Sequence, residues 1–138
     1  MQKINDLSSE MINYIESKRD WVRNHYTPES IAGYETVKGK LKLLDTILKS
    51  HWIEKHETAK LQSLGITLGD IIVQEMNFTW IEVEEENETD PALLLPDTTL
   101  ILFPMTMISK RIEKDESFDI YEFYEKLKED VSKIKLQA

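Results

Sequence analysis

Apolar residues recur at helical spacing over four stretches of the chain and at strand spacing over a shorter central part. From residue 3 to residue 26 the repeat runs Ile4, Leu7, Met11, Tyr14/Ile15, Lys18 and Val22, with Glu10, Glu16, Arg19 and Asp20 on other faces, so a first helix is predicted there. Thr27-Pro28-Glu29 then carries a helix-start pattern: a capping hydroxyl, proline at the first helical position and an acid in the first turn. The second predicted helix follows with Ile31, Tyr34, Val37, Leu41, Leu44 and Leu48 on one stripe, with Gly33 and Gly39 each costing about 1 kcal/mol against alanine. A third helix is expected from about Ala59 to Met76. Its Gly65 and Gly69 are four apart, share a face and admit the close approach of another backbone.

The rhythm then changes to two. In Asn77–Glu84, Ile81 and Val83 fall on one side and Phe78, Trp80 and Glu82 on the other, a half-buried strand. Glu84–Asp90 reads as an acidic turn or loop, Ala92–Leu95 as a short strand and Pro96-Asp97 as a turn. The near-continuous apolar run Thr98–Phe103 is the strongest strand signal and predicts burial on both faces. Pro104 ends it, and MTMISKRIEK leads into a helix or an irregular segment. Ser117 or Asp119 caps a last helix carrying Ile120, Phe123/Tyr124, Leu127, Val131 and Ile134. The expected architecture is one α+β domain spanning 1–138. A helical hairpin fills 1–51, and a third helix, about three antiparallel strands and a closing helix fill 52–138.

The 138 residues suit one domain, and 41% hydrophobic content is enough for one core. No cysteine is present, which removes disulfides, thiolate zinc sites and cysteine nucleophiles. Met1 runs into QKINDLSSEM without a basic-then-apolar leader, and no apolar run reaches the ~20 residues that cross a bilayer. The expectation is a soluble cytoplasmic protein that does not enter a membrane.

Charge is placed unevenly. Residues 1–60 sum to +1 and 101–138 to −1, whereas 61–100 hold nine acids and no base, the whole of the net −9. That region repels nucleic acid and attracts a basic protein. Glu82, Glu84, Glu85, Glu86, Glu88 and Asp90 are the candidate partner-binding residues. They lack the alternating ligands and central glycine of a calcium loop and offer no paired carboxylates of readable separation. Lys110 and Arg111 are the alternative, an anion site if a helix begins near Thr106. The bland reading of the acids is a solvated turn. That of the basic pair is ion pairing with the acidic loop or Glu113.

No catalytic constellation is found. His51 and His56 are five apart and share no helix face, so SHWIEKHE reads as a surface helix anchored by Trp52, without the HExxH zinc motif. There is no G-x-S-x-G elbow, and all three histidines lie in the helical half. Asn77-Phe78-Thr79 and Asn87-Glu88-Thr89 match the glycosylation pattern without a secretion signal and are taken as chance. Neither cofactor nor metal is expected, and the sequence leaves the oligomeric state open.

Leu64-Gly65 with Gly69, Trp80 heading the first strand, Asp90-Pro91-Ala92-Leu93 and Phe103-Pro104-Met105-Thr106-Met107-Ile108-Ser109-Lys110-Arg111 form a distinctive combination. On these residues the chain resembles a bacterial family, domain of unknown function 3806, over roughly residues 52–127. The resemblance implies the fold and no mechanism, and leaves the first helical hairpin outside the family core. The function expected is therefore that of a non-enzymatic, acidic protein-binding domain. Its concrete form is an immunity protein that neutralises a basic bacterial toxin such as a nuclease. The alternative is a small-molecule or anion-binding domain.

Overall fold

The computed structural model describes residues 2–25, 32–51, 53–114 and 118–137. Four strands and five helices follow in the order β1 (Lys3–Asn5), α1 (Ser9–His25), α2 (Val37–Ser50), α3 (Thr58–Met76), β2 (Thr79–Glu85), β3 (Glu88–Leu94), β4 (Ile101–Leu102), α4 (Met105–Glu113) and α5 (Ile120–Gln137). The sheet has the order β1-β2-β3-β4 with every pair antiparallel. The fold is α+β, with one strand more than the sequence predicts.

The extra strand comes from the chain's first residues. Ile4 and Leu7 fit a helical repeat, but Ile4 lies opposite Val83, and the helix starts only after Ser8, whose Oγ accepts the Met11 N–H at 3.1 Å. Polar Asn5 and Asp6 offer a helix nothing to bury, so edge pairing to β2 wins. The second helix also starts later than its pattern suggests. Thr36 caps it, accepting the Gly39 N–H on its side chain, and Gly39 lies so close to Gly33 that a Cβ would stand 2.0 Å from the Gly33 carbonyl oxygen. The two glycines mark a break between helical segments. The helix-start pattern Thr27-Pro28-Glu29, Trp52 and Ser117 lie outside the described residues. The segment around His56 is a loop, not the expected surface helix, and His51 closes α2 in the left-handed conformation with φ 57°.

Helix α3 is the axis of the domain. Both N-terminal helices pack on it, as does α4, and α5 closes against α2. Its residues Leu61, Leu64, Leu68, Ile71 and Ile72 are buried in the main core with Leu44, Ile47, Leu93, Ile108, Ile120 and Tyr124. The glycine face is used as the spacing implies. A Cβ on Gly65 would lie 2.5 Å from the Pro104 carbonyl oxygen and 2.7 Å from Met105 Cα, and one on Gly69 would lie 2.6 Å from the Trp80 ring. The strand-to-helix corner at Pro104 and the first aromatic of β2 thus rest directly on α3.

Register sorts the sheet's two faces. Ile81, Val83, Ala92, Leu94 and Ile101 share one, where they cluster with Phe103; Trp80, Leu93 and Leu102 share the other, against the helices. The run Thr98–Phe103 is not a strand buried on both faces. The Thr98 N–H and hydroxyl both donate to the Leu95 carbonyl, and the hydroxyl accepts the Leu100 N–H, so half of the run is spent on a turn. Only Ile101 and Leu102 pair, and both are half-buried.

Candidate partner-binding face

The acidic residues sit on the β2–β3 hairpin rather than in a loop. Glu86 and Asn87 both have positive φ, 50° and 70°, the two-residue turn that asparagine favours and that matches strand twist. Glu85 and Glu88 therefore stand directly opposite each other, as do Glu84 and Thr89, and Val83 and Asp90. Pro91 is tolerated inside β3 because β4 pairs only with Leu93 and Leu94, leaving the Pro91 side of the strand an edge.

The six predicted acids divide by role. Glu82 is half-buried, and its Oε1 accepts the Ser8 N–H at 2.8 Å, so it fastens the start of α1 to the sheet. Glu84, Glu85, Glu86, Glu88 and Asp90 are exposed and form no ion pair among the described residues, even though Lys3 lies across from Glu84. Like charges directly opposite on a hairpin destabilise it by a few tenths of a kcal/mol.

Where the hairpin meets α1, a groove of about 410 Å³ opens. Met11, Pro91 and Met105, all buried, lie beneath it, and the carboxylates of Glu10, Glu82 and Asp90 line it. The Tyr14 hydroxyl donates to Met105 Sδ at 3.7 Å, and burial, then the nearby Asp90 carboxylate, raise its pKa. Among the described residues no three His, Asp or Glu side chains converge closely enough for a metal ion. Glu10, Tyr14 and Met105 enter the sequence reading as a helix face, a helical repeat and part of the family motif, not as site residues. Glu10 in the first turn of α1 was the one available signal, since the groove exists only once the hairpin folds against that helix.

The helix after Pro104 begins at Met105, where the anion reading of the basic pair requires it. Lys110 and Arg111 lie in the last turn of α4, so the anion-favouring helix N-terminus is at the other end. Arg111 Nη1 donates to the Met107 carbonyl at 2.8 Å, and its guanidinium lies over the Phe123 ring at 4.5 Å, tying α4 to α5. Neither residue pairs with the acidic hairpin or with Glu113, whose Oε1 accepts from the Thr58 hydroxyl.

These features define a small α+β domain with an acidic hairpin at one end of its sheet. The chain belongs to the family described as Domain of unknown function (DUF3806), whose sequence model matches residues 40–124. The match begins inside α2, so that helix is part of the family core and not outside it. A crystal structure of a protein from Bacteroides thetaiotaomicron VPI-5482, at 1.50 Å resolution, is similar with a TM-score of 0.73 and 16% identity. The similarity covers 90% of this chain and 46% of that one, so the chain spans about half the length of that protein. At that identity the likeness is one of fold. No curated protein matches the chain. Among the described residues no helix is long and apolar enough to cross a membrane.

Proposed function

We propose that this is a non-enzymatic protein-binding domain that docks a basic protein on its β2–β3 hairpin. In its concrete form it is an immunity protein that sequesters a cognate toxin. One observation supports the reading above the others: five exposed carboxylates with no cation partner among the described residues, on a paired antiparallel hairpin. Their mutual repulsion costs the free domain stability, and a partner's Lys and Arg side chains would relieve it. Strand pairing holds the acids in a fixed array, so little ordering entropy opposes docking. The adjacent groove would add apolar contact beside the charges. The small-ligand alternative at Lys110 and Arg111 is not favoured, because Arg111 is engaged within the fold.

The test compares two baits in lysate of the source organism, the wild-type chain and Glu84→Lys/Glu85→Lys/Glu86→Lys, at low and high salt. The reading expects a basic protein held by the wild type at low salt, released at high salt and absent from the variant. A protein retained equally by both baits, or nothing on either, would sink it.

A further inference from the structure

The groove between the hairpin and α1 has an apolar floor and acidic walls drawn from four elements. Helix α1 gives Glu10 and Met11, β2 gives Glu82, β3 gives Asp90 and α4 gives Met105. Met11 and Met105 belong to a buried cluster with Ile15 and Ile66, so the floor is part of the packed interior. Glu10 and Asp90 are exposed and form no ion pair among the described residues, and no Lys, Arg or His lines the groove. Glu82 uses Oε1 to accept the Ser8 N–H at 2.8 Å. The Tyr14 hydroxyl donates to Met105 Sδ at 3.7 Å, which leaves its oxygen as a further acceptor. Lys18 lies over the Tyr14 ring at 5.5 Å but is held by the Ala59 carbonyl at 3.1 Å.

This lining selects its occupant. An anion is repelled by the carboxylates, and a neutral apolar group would strip water from them and offer no hydrogen bond in return. A metal ion finds no three His, Asp or Glu side chains close enough among the described residues. What fits is a cation at the end of an aliphatic stem, with its methylenes on Met11 and Met105 and its charged head at the carboxylates. The volume of about 410 Å³ admits such a side chain and no folded element. We propose that the groove is the anchor pocket for one lysine or arginine side chain of the basic partner. The inference rests on the docking reading above and specifies it. The hairpin acids steer the partner in, whereas the seated stem and its charge-assisted hydrogen bonds set how long it stays. Asp90 belongs to both the hairpin and the groove, so the two surfaces are continuous.

The probe is the blocked tripeptide acetyl-Gly-Arg-Gly-amide, titrated into the full chain carrying methyl-labelled methionine and followed by NMR. The Met11 and Met105 methyls should shift together and saturate, while Met76, in the main core, stays still. The same peptide with citrulline for arginine keeps the stem without the charge and should leave both methyls unmoved. Glu10→Gln, at an exposed position, should weaken the arginine peptide about fivefold. As bait, the Glu10→Gln chain should release the captured basic protein faster than the wild type does. Equal binding of the citrulline peptide, shifts confined to the hairpin amides, or no methyl shift at all overturns the anchor pocket. A basic protein retained equally by the wild-type and Glu10→Gln baits also overturns it and leaves docking on the hairpin standing. Methyl shifts with the peptide but no protein on the wild-type bait overturn the docking reading, and with it this occupant.

Discussion

Arg19 grips Asp70 with two parallel hydrogen bonds, Nε to Oδ2 at 2.7 Å and Nη2 to Oδ1 at 2.8 Å. The same carboxylate accepts from the Tyr34 hydroxyl and, at 3.1 Å, from the Trp80 indole N–H. Three partners from α1, the turn before α2 and β2 thus converge through four hydrogen bonds on one side chain of α3 that is 12% exposed. Arg19 reaches Glu16 as well, and Arg23 and Lys40 lie over the Tyr34 ring. A charge this enclosed is costly unless every lone pair is used, and here the cost is met by tying four segments together. Asp70→Asn keeps the shape but removes the charge and turns a donor on its neighbours. It should cost about 2–4 kcal/mol and lower the melting temperature by roughly 10 °C. If Arg19→Met and Asp70→Asn combine with additive losses, the pair is not coupled and the account fails.

The contact between α3 and the Pro104 corner is steric, and it makes a prediction of opposite sign to helix propensity. Alanine for glycine inside a helix ordinarily gains up to about 1 kcal/mol. At Gly65 the new Cβ meets the backbone of Pro104 and Met105, which has no flexible end to move aside. Gly65→Ala should therefore destabilise the domain by about 1–3 kcal/mol net. Chemical denaturation settles the sign, and a more stable variant would show that the corner yields.

How much of this was legible in advance differs from residue to residue. The Gly65/Gly69 face, the Trp80 strand and the last helix, whose first turn Asp119 caps at the Tyr121 N–H, follow from spacing alone because each is a local pattern. Asp70 is the single charge in the apolar stretch from Leu61 to Val73, a sign that it must be paired, but its partners are 10 to 51 residues away and no local pattern names them. The Thr98–Phe103 run misled because side-chain hydrogen bonds at Thr98 competed with the ladder, an effect invisible to hydrophobic periodicity. The acids were visible as composition. Their division into a structural Glu82 and five free neighbours required the register of β2 against β1 and β3.

Two buried phenols should make the fold lose stability at alkaline pH. Burial, then the Asp70 carboxylate, raise the Tyr34 pKa, and burial, then the hydrogen bond to Glu75, raise that of Tyr124. An unfolded tyrosine titrates near 10. A group whose folded pKa lies above its unfolded value stabilises fully below the unfolded value, and that stabilisation is lost as pH climbs towards the folded one. Above about pH 10 each phenol should thus remove up to about 1.4 kcal/mol per pH unit. Tyr34→Phe should show a shallower alkaline slope than the wild type, a comparison in which the lysines cancel. Parallel slopes from urea melts at pH 9, 10 and 11 would exclude Tyr34 as the source.

The hairpin offers the sharpest separation between a bland acidic surface and a functional one. Glu85 and Glu88 face each other across the end of the ladder, a pairing that costs the free domain and that a lysine at either position would turn into an attraction. Glu88→Lys should raise the stability of the isolated domain by about 0.5–1 kcal/mol, most visibly at low salt. The same substitution should weaken capture of a basic partner, chiefly by slowing association. Stability and binding would then move in opposite directions from one side chain, as expected when carboxylates are held together for something outside the fold. A Glu88→Lys chain that is more stable and binds its partner as well as the wild type would leave the solvated-turn reading standing for this residue. A chain that is less stable would show that the two carboxylates do not repel across the ladder.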